Sequence, residues 1–332
     1  MTAPPLLSYN PDTLDPIAAA LLPRLSDTDP VVRRIALLEL ADLEDPALVP
    51  ALVYALKYDA AADVRREAAI VLAAWEGEEE VVELLCSALL DTDETVRLAA
   101  AQSLSELKEP ASGPGLEPWA AHADFFVQAS VLRALRELRY PGAFDVALRS
   151  LSSEQAAVRF EAVGVLGWLK DERALSSMAM LARSDTDDEV RRGAVGALGF
   201  ATSDHATALS SLLAALADTA WQVREEAATT LGKLRATGAL QALVTALDDP
   251  YWQVRVRAAR SLGKLGDKEA APALALALTH SISNLRKEAA LSLGELRDAR
   301  TLAALQAAQD DRDPDVRKAV RVALQQIGDV AS

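Results

Sequence analysis

With one cysteine, Cys86, in 332 residues, the chain has no internal disulfide. That residue lies in the apolar stretch 81–90 and reads as a small core side chain. Histidine is nearly as scarce: His122, His205 and His280 lie too far apart for a cluster of metal-ligand spacing on one helix, and no metal site is expected. Apolar residues never run through the roughly 18 to 20 positions that a membrane helix needs, so no membrane insertion is expected. The opening MTAPPLLSYNPDTLDP has no basic stretch followed by an apolar core, which argues against a secretory signal and for the cytoplasm. Basic charge is short, 34 Lys and Arg against 49 Asp and Glu, a net −15. A phosphate-binding surface must be basic, so nucleic acid is not an expected partner. Neither a Gly-rich phosphate loop nor a nucleophile motif occurs, and catalysis by the chain's own side chains is not expected.

What the sequence does hold is one pattern repeated about every 31 residues. Counting from Val as zero, the pattern has Arg at 1, a small residue at 4, Leu at 8, often Gly at 9 and Leu at 11. Val254, Arg255, Ala258, Leu262, Gly263 and Leu265 show it in full. The anchors are Val32, Val64, Val96, Val127, Val158, Val190, Val223, Val254, Leu285 and Val316. Offsets 0, 4, 8 and 11 share one face at 3.6 residues per turn, which predicts an amphipathic helix. A second apolar run, such as Ala270 to Leu278, predicts a partner helix in each unit. Asp29, Asp93, Asp187 and Asp313, three residues before the anchor, read as N-caps, and Gly266 with Asp267 reads as a helix end. Neither helix can bury its face alone, so neighbouring units must supply the core. The fold class is all-α, an α-solenoid of about ten two-helix repeats. Residues 14–328 form one array, flanked by an N-terminal extension at 1–13 and a tail at 329–332. The Arg at offset 1 is missing only at Gln128; so regular a ladder reads as a stacking contact to carboxylates or loop carbonyls of the adjacent repeat.

The D-x-x-V-R-x-x-A-x-x-x-L-G-x-L runs, as at 187–201 and 313–327, resemble the HEAT-like repeats named after phycobilisome lyases and the artificial αRep proteins built on the same consensus. This resemblance spans roughly residues 14–328. It implies a binding scaffold or assembly chaperone that holds a protein partner on its concave face and needs no cofactor. Its alternative implication is a bilin lyase-like factor that holds an open-chain tetrapyrrole, or one that assists iron-sulfur protein maturation; an enzyme activity, if present, is of that lyase type. The deoxyhypusine hydroxylases, which are HEAT-like too, carry His-Glu pairs for iron, and no such pair occurs here.

Offsets 2, 6 and 10 point away from the core, and the resemblance places them on the groove that binds partners. Most of these positions are unremarkable, but Phe160, Gly164 and Trp168 in one repeat and Arg192, Gly196 and Phe200 in the next combine aromatics, glycine and arginine. Aromatic and Arg clusters are typical binding anchors. An aromatic beside a bare glycine predicts a shallow apolar hollow; the competing reading folds Trp168 and Phe200 back over the inter-helix turn. Trp221, Tyr251 and Trp252 at two helix starts form a secondary edge patch, with packing between repeats as the alternative. The irregular repeat near 110–139, with Trp119, His122, Phe125 and Phe126, reads as a hinge or recognition bump, or as a filled packing defect with a looser first helix. Residues 1–166 hold 13 basic and 27 acidic side chains, or −14, leaving 21 and 22, or −1, for the rest. An acidic half reads first as a device for solubility, with a partner of basic surface as the alternative.

Overall fold

The computed structural model describes residues 15–77 and 79–331, so the 1–13 extension lies outside the described residues. Among the described residues the chain is helical throughout, with no strand. It divides into two compact units, one ending at Leu169 and the other beginning at Lys170, and each is described by itself.

The first unit carries the Val-Arg helices Pro30–Ala41, Ala62–Leu72, Glu94–Ser105, Phe125–Leu138 and Ala156–Leu169. The second carries Asp188–Ala197, Trp221–Leu234, Trp252–Leu265, Ser283–Leu296 and Pro314–Ala331. Shorter helices alternate with them, among them Val49–Tyr58 and Phe144–Ser150 in the first unit and Leu175–Ser184 and Ala271–Ala277 in the second. Many are entered by one 3-10 turn, as at Pro46–Leu48 and Lys268–Ala270, where Asp45 and Asp267 accept a backbone N–H. The last helix spans Pro314–Ala331 and so reaches into the expected tail at 329–332, of which residue 332 is outside the described set.

The expected face is buried: Val254, Ala258 and Leu262 are fully covered, as are Val190, Ala194 and Leu198. Asp29, Asp93 and Asp187 accept the N–H of Val31, Thr95 and Val190, so these N-caps are as expected. Gly266 closes its helix at φ 73°, in the left-handed region that glycine enters without a Cβ penalty.

The Arg at offset 1 does more than pair. Arg286 Nε and Nη2 grip the Asp311 carboxylate at 2.7 Å each, while Nη1 donates to the carbonyls of His280 at 2.9 Å and Ser281 at 3.1 Å. The same fork appears at Arg33 with Asp59, Arg65 with Asp91, Arg191 with Asp218 and Arg224 with Asp249. Each Asp lies five residues before the next anchor and also accepts the N–H two residues on, as Asp249 does from Tyr251 at 2.8 Å. One carboxylate thus orders its own loop and the preceding repeat.

A second ladder explains two of the glycines at offset 9, Gly232 and Gly263. Ser261 Oγ donates to Ala228 O at 2.7 Å and Ser292 Oγ to Ala259 O at 2.9 Å, each reaching back to the previous Val-Arg helix. The glycine of that helix lets the serine approach. A Cβ on Gly263 would lie 2.7 Å from Ser292 Oγ and 2.8 Å from its Cβ. Gly263→Ala is therefore expected to cost about 1–3 kcal/mol in urea denaturation, as overpacking does. Gly328→Ala, with nothing within 4 Å of the new methyl, should gain up to about 1 kcal/mol from helix propensity. Equal effects at the two glycines would refute the close-approach explanation.

Candidate binding surfaces

The six residues expected to line a groove divide between the units: Phe160, Gly164 and Trp168 belong to the first, Arg192, Gly196 and Phe200 to the second. In the first unit Trp168 stands near the end of its helix, 46% exposed, and the Arg139 guanidinium lies 4.0 Å from the ring centroid. Arg139 reaches it because its own backbone is in the left-handed conformation, φ 56°, capping the Phe125–Leu138 helix. Phe160 is half-buried.

Gly164 does not leave a hollow. The Arg136 side chain passes over it, with Cδ 2.7 Å from where a Cβ would stand. Arg136 is held by Glu161, whose two oxygens accept from Arg136 Nη1 at 2.7 Å and Arg133 Nε at 2.9 Å. Glu161 is 3% exposed, and sequence reasoning missed it; the only signal was an acidic residue at offset 3 facing Arg at offset 6 of the repeat before. The glycine supplies room for an arginine rather than for a ligand.

In the second unit Gly196 is likewise covered, by Glu226 Oε1 at 3.0 Å from an added Cβ. Arg192 pairs with Glu189 at 2.5 Å on its own helix, and this bond raises its pKa against the cost of burial. Phe200 ends the turn Leu198–Phe200 and is half-buried. Trp168 is thus the more exposed of the two rings.

Two residues of the edge patch come together. Trp221 and Tyr251 stack with centroids 5.5 Å apart and planes 14° from parallel, the Arg224 guanidinium lies 5.5 Å from the Tyr251 ring, and Trp252 stays 44% exposed. This stacking joins successive repeats.

The irregular repeat has lost more of its first helix than the expected loosening. Three short pieces replace it, Pro110–Ser112, Gly113–Leu116 and Glu117–Ala121. Prolines 110, 114 and 118 remove the amide donors a continuous helix needs. Trp119 stacks on His122 with centroids 5.7 Å apart, and its indole donates to Glu83 at 2.8 Å. Phe125 and Phe126 are exposed and line separate cavities: Phe125, with His122 and Gln128, one of ≈ 420 Å³, and Phe126, with Arg97 and Leu98, one of ≈ 340 Å³. His122 takes the ladder position that Asp holds in most repeats, and its Nδ1 accepts the Asp124 N–H at 3.0 Å. Cys86 is buried, and that burial pushes its thiol pKa up, so it is a packing residue. Among the described residues no group of three or more His, Cys, Asp or Glu is placed to hold a metal ion, and no helix is long and apolar enough to cross a membrane.

Profiles of the family described as HEAT repeats match residues 18–105, 49–129, 113–199, 180–255 and 240–325. Among solved structures, an engineered protein is 24% identical with a TM-score of 0.53, over 94% of this chain and 99% of its own. Kap95p, solved with RanGDP, is 15% identical with a TM-score of 0.68, over 98% of this chain and 51% of its own, so this chain spans about half its length. The YIBA_ECOLI protein is 16% identical with a TM-score of 0.57, over 82% of this chain and 98% of its own. At these identities the likeness is one of fold. No curated protein matches in the sequence comparison. The match along nearly the whole chain, together with the paired helices and the Val-Arg ladder, makes this protein a member of the HEAT-repeat family.

Proposed function

We propose that the protein is a non-catalytic scaffold or assembly chaperone that holds a partner protein, in the cytoplasm and without a cofactor, on the outward faces of its Val-Arg helices. The observation that carries this reading is Trp168, exposed and stacked under Arg139 in a chain with few aromatics. A large ring fixed by a cation presents apolar area at little conformational cost, as interface anchors do. Kap95p, a solved neighbour of the same fold, forms complexes with RanGDP and with Nup1. The net −14 of residues 1–166 would draw a basic partner at long range, and an apolar or aromatic side chain would seat on Trp168. The tetrapyrrole-carrier alternative is less well supported, because Arg192, the cation it needs for a propionate, is already paired with Glu189.

Trp168→Ala should lower recovery of the partner that wild type captures at least ~10-fold, corresponding to about 1.4 kcal/mol. The measurement is quantitative co-purification from native extract, with circular dichroism to verify the fold. Recovery unchanged by the substitution would remove Trp168 from the site.

A further inference from the structure

In the first unit one rung of the ladder stands open. Arg33 and Arg65 grip Asp59 and Asp91, but five residues before Val127 the chain has His122, so Arg97 has no aspartate to hold. Arg97 nevertheless keeps the pose of Arg65. Its Nη1 donates to the carbonyls of Asp91 at 2.9 Å and Thr92 at 3.4 Å, as Arg65 Nη1 does to those of Asp59 and Ala60. The Nε and Nη2 edge is thereby left for a carboxylate, and among the described residues nothing bonds it. His122 does not serve, because its Nδ1 accepts the Asp124 N–H and its ring stacks on Trp119. The rung at His280 resolves the same loss differently. There Arg255 has turned, so that Nε bonds the Asp249 carbonyl and Nη2 the Pro250 carbonyl, while Nη1 meets His280 Nε2 at 2.9 Å.

Arg97 itself lines the cavity of ≈ 340 Å³ that Phe126 borders, a volume within the range of about 300–1,000 Å³ seen for ligand sites. The wall carries both signs of charge. Glu94, Arg97 and Leu98 stand at i, i+3 and i+4 on the Glu94–Ser105 helix, so the three side chains share a face. Glu94 is exposed, and its carboxylate has no bonding partner among the described residues. Asp124 caps the N–H groups of Phe126 and Val127 through Oδ1, which leaves Oδ2. Asp91, on the same wall, is committed to Arg65 and to the Asp93 N–H. Leu90, Leu98 and Phe126 are exposed and supply the apolar part. A lone carboxylate here would meet Glu94 and Asp124, and a lone cation would meet Arg97. A molecule that carries both charges beside an aliphatic side chain meets neither obstacle.

We propose that this cavity binds a free α-amino acid with an aliphatic side chain. Its carboxylate takes, on Arg97, the two-bond grip that Asp91 has on Arg65. The ammonium lies against Glu94 and Asp124, and the side chain covers Leu98 and Phe126. The planar fork of an arginine matches a carboxylate in geometry as well as in charge, so that end fixes the ligand's orientation. The site does not rest on the Trp168 reading, because it takes a small molecule and needs no partner protein.

Calorimetric titration of the full chain with leucine, acetyl-leucine and leucinamide tests this, since the second lacks the ammonium and the third the carboxylate. Leucine should bind at least ~10-fold more tightly than either. Arg97→Gln should abolish the preference over leucinamide. Glu94→Gln, an exposed change that breaks no bond of the fold, should cut the preference over acetyl-leucine at least ~3-fold, and it decides the matter if circular dichroism shows that Arg97→Gln does not fold. Acetyl-leucine binding as tightly as leucine would assign the cavity to a peptide carboxylate instead and overturn the proposal. Leucinamide binding as tightly as leucine, no binding of leucine up to about 1 mM, or preferences that survive in the folded variants would overturn it too.

Discussion

Arg286→Ala should lose about 3–5 kcal/mol of stability, the range found when one partner of a buried ion pair is removed. Arg286 is 4% exposed and holds three acceptors at once, the Asp311 carboxylate and the carbonyls of residues 280 and 281. Truncation leaves a carboxylate whose side chain is 10% exposed without its cation, and the His280 carbonyl without its side-chain donor, while the Ser281 carbonyl keeps Arg312. Stability in a stacked array is carried by nearest-neighbour interfaces, so the damage should appear first in the final repeat, which this rung ties down. Hydrogen exchange in the Pro314–Ala331 helix should therefore accelerate before exchange in Trp221–Leu234 does. The neighbouring pair Lys287 with Asp315 is the internal control. At 3.0 Å it looks as good, but its side chains are 38% and 68% exposed, so Lys287→Ala should cost no more than about 1 kcal/mol. Similar losses for the two variants would mean that the ladder is ornament to the hydrophobic packing.

Acid should unzip the same ladder. The bond from Arg65 holds the Asp91 carboxyl below the ordinary carboxylate range against its partial burial, and the bond from Arg286 does the same for Asp311. At Asp218 and Asp249 burial pulls the other way as the largest single influence, yet the arginine and backbone N–H bonds together outweigh it. A carboxyl depressed in the folded state contributes stability that is complete above its unfolded pKa of about 3.9 and is lost as pH falls through the folded value. Helicity and the urea midpoint should thus hold from neutrality to about pH 4 and fall below it, the window in which these aspartates take up protons. The arginine pKa values move up and lie far above this window, so they do not contribute. Because Arg286→Ala removes one depressed carboxyl, its stability should fall less steeply below pH 4 than that of wild type. A slope unchanged by the substitution would show that other groups control acid unfolding.

Most of the fold was legible in the sequence because its unit is local. Offsets 0, 4, 8 and 11 read as one buried face, and Val254, Ala258 and Leu262 are buried for that reason. The N-caps at Asp29, Asp93 and Asp187 and the helix end at Gly266 depend on residues within a turn of one another, so short-range rules suffice. The irregular repeat was visible too, since three prolines in nine residues stand out against an otherwise periodic chain. The candidate surface was less legible. A glycine at offset 6 says that a side chain is missing but not what fills the gap, and Arg136 and Glu226, from neighbouring helices, fill it at Gly164 and Gly196.

The sequence by itself determined the repeat, its two helices and the side of each that is buried, because a 3.6-residue period carries that information within a single unit. Only the tertiary structure decided what each offset is for. The arginine at offset 1 finds its aspartate 25 to 27 residues later at five rungs, the serine at offset 7 finds a carbonyl 33 or 34 residues earlier, and Gly232 and Gly263 at offset 9 make room for Ser261 and Ser292. Such contacts join residues remote in sequence, and their geometry exists only once the repeats are stacked. It is also what makes His280, an ordinary residue in the written chain, the one that turns Arg255 away from its rung.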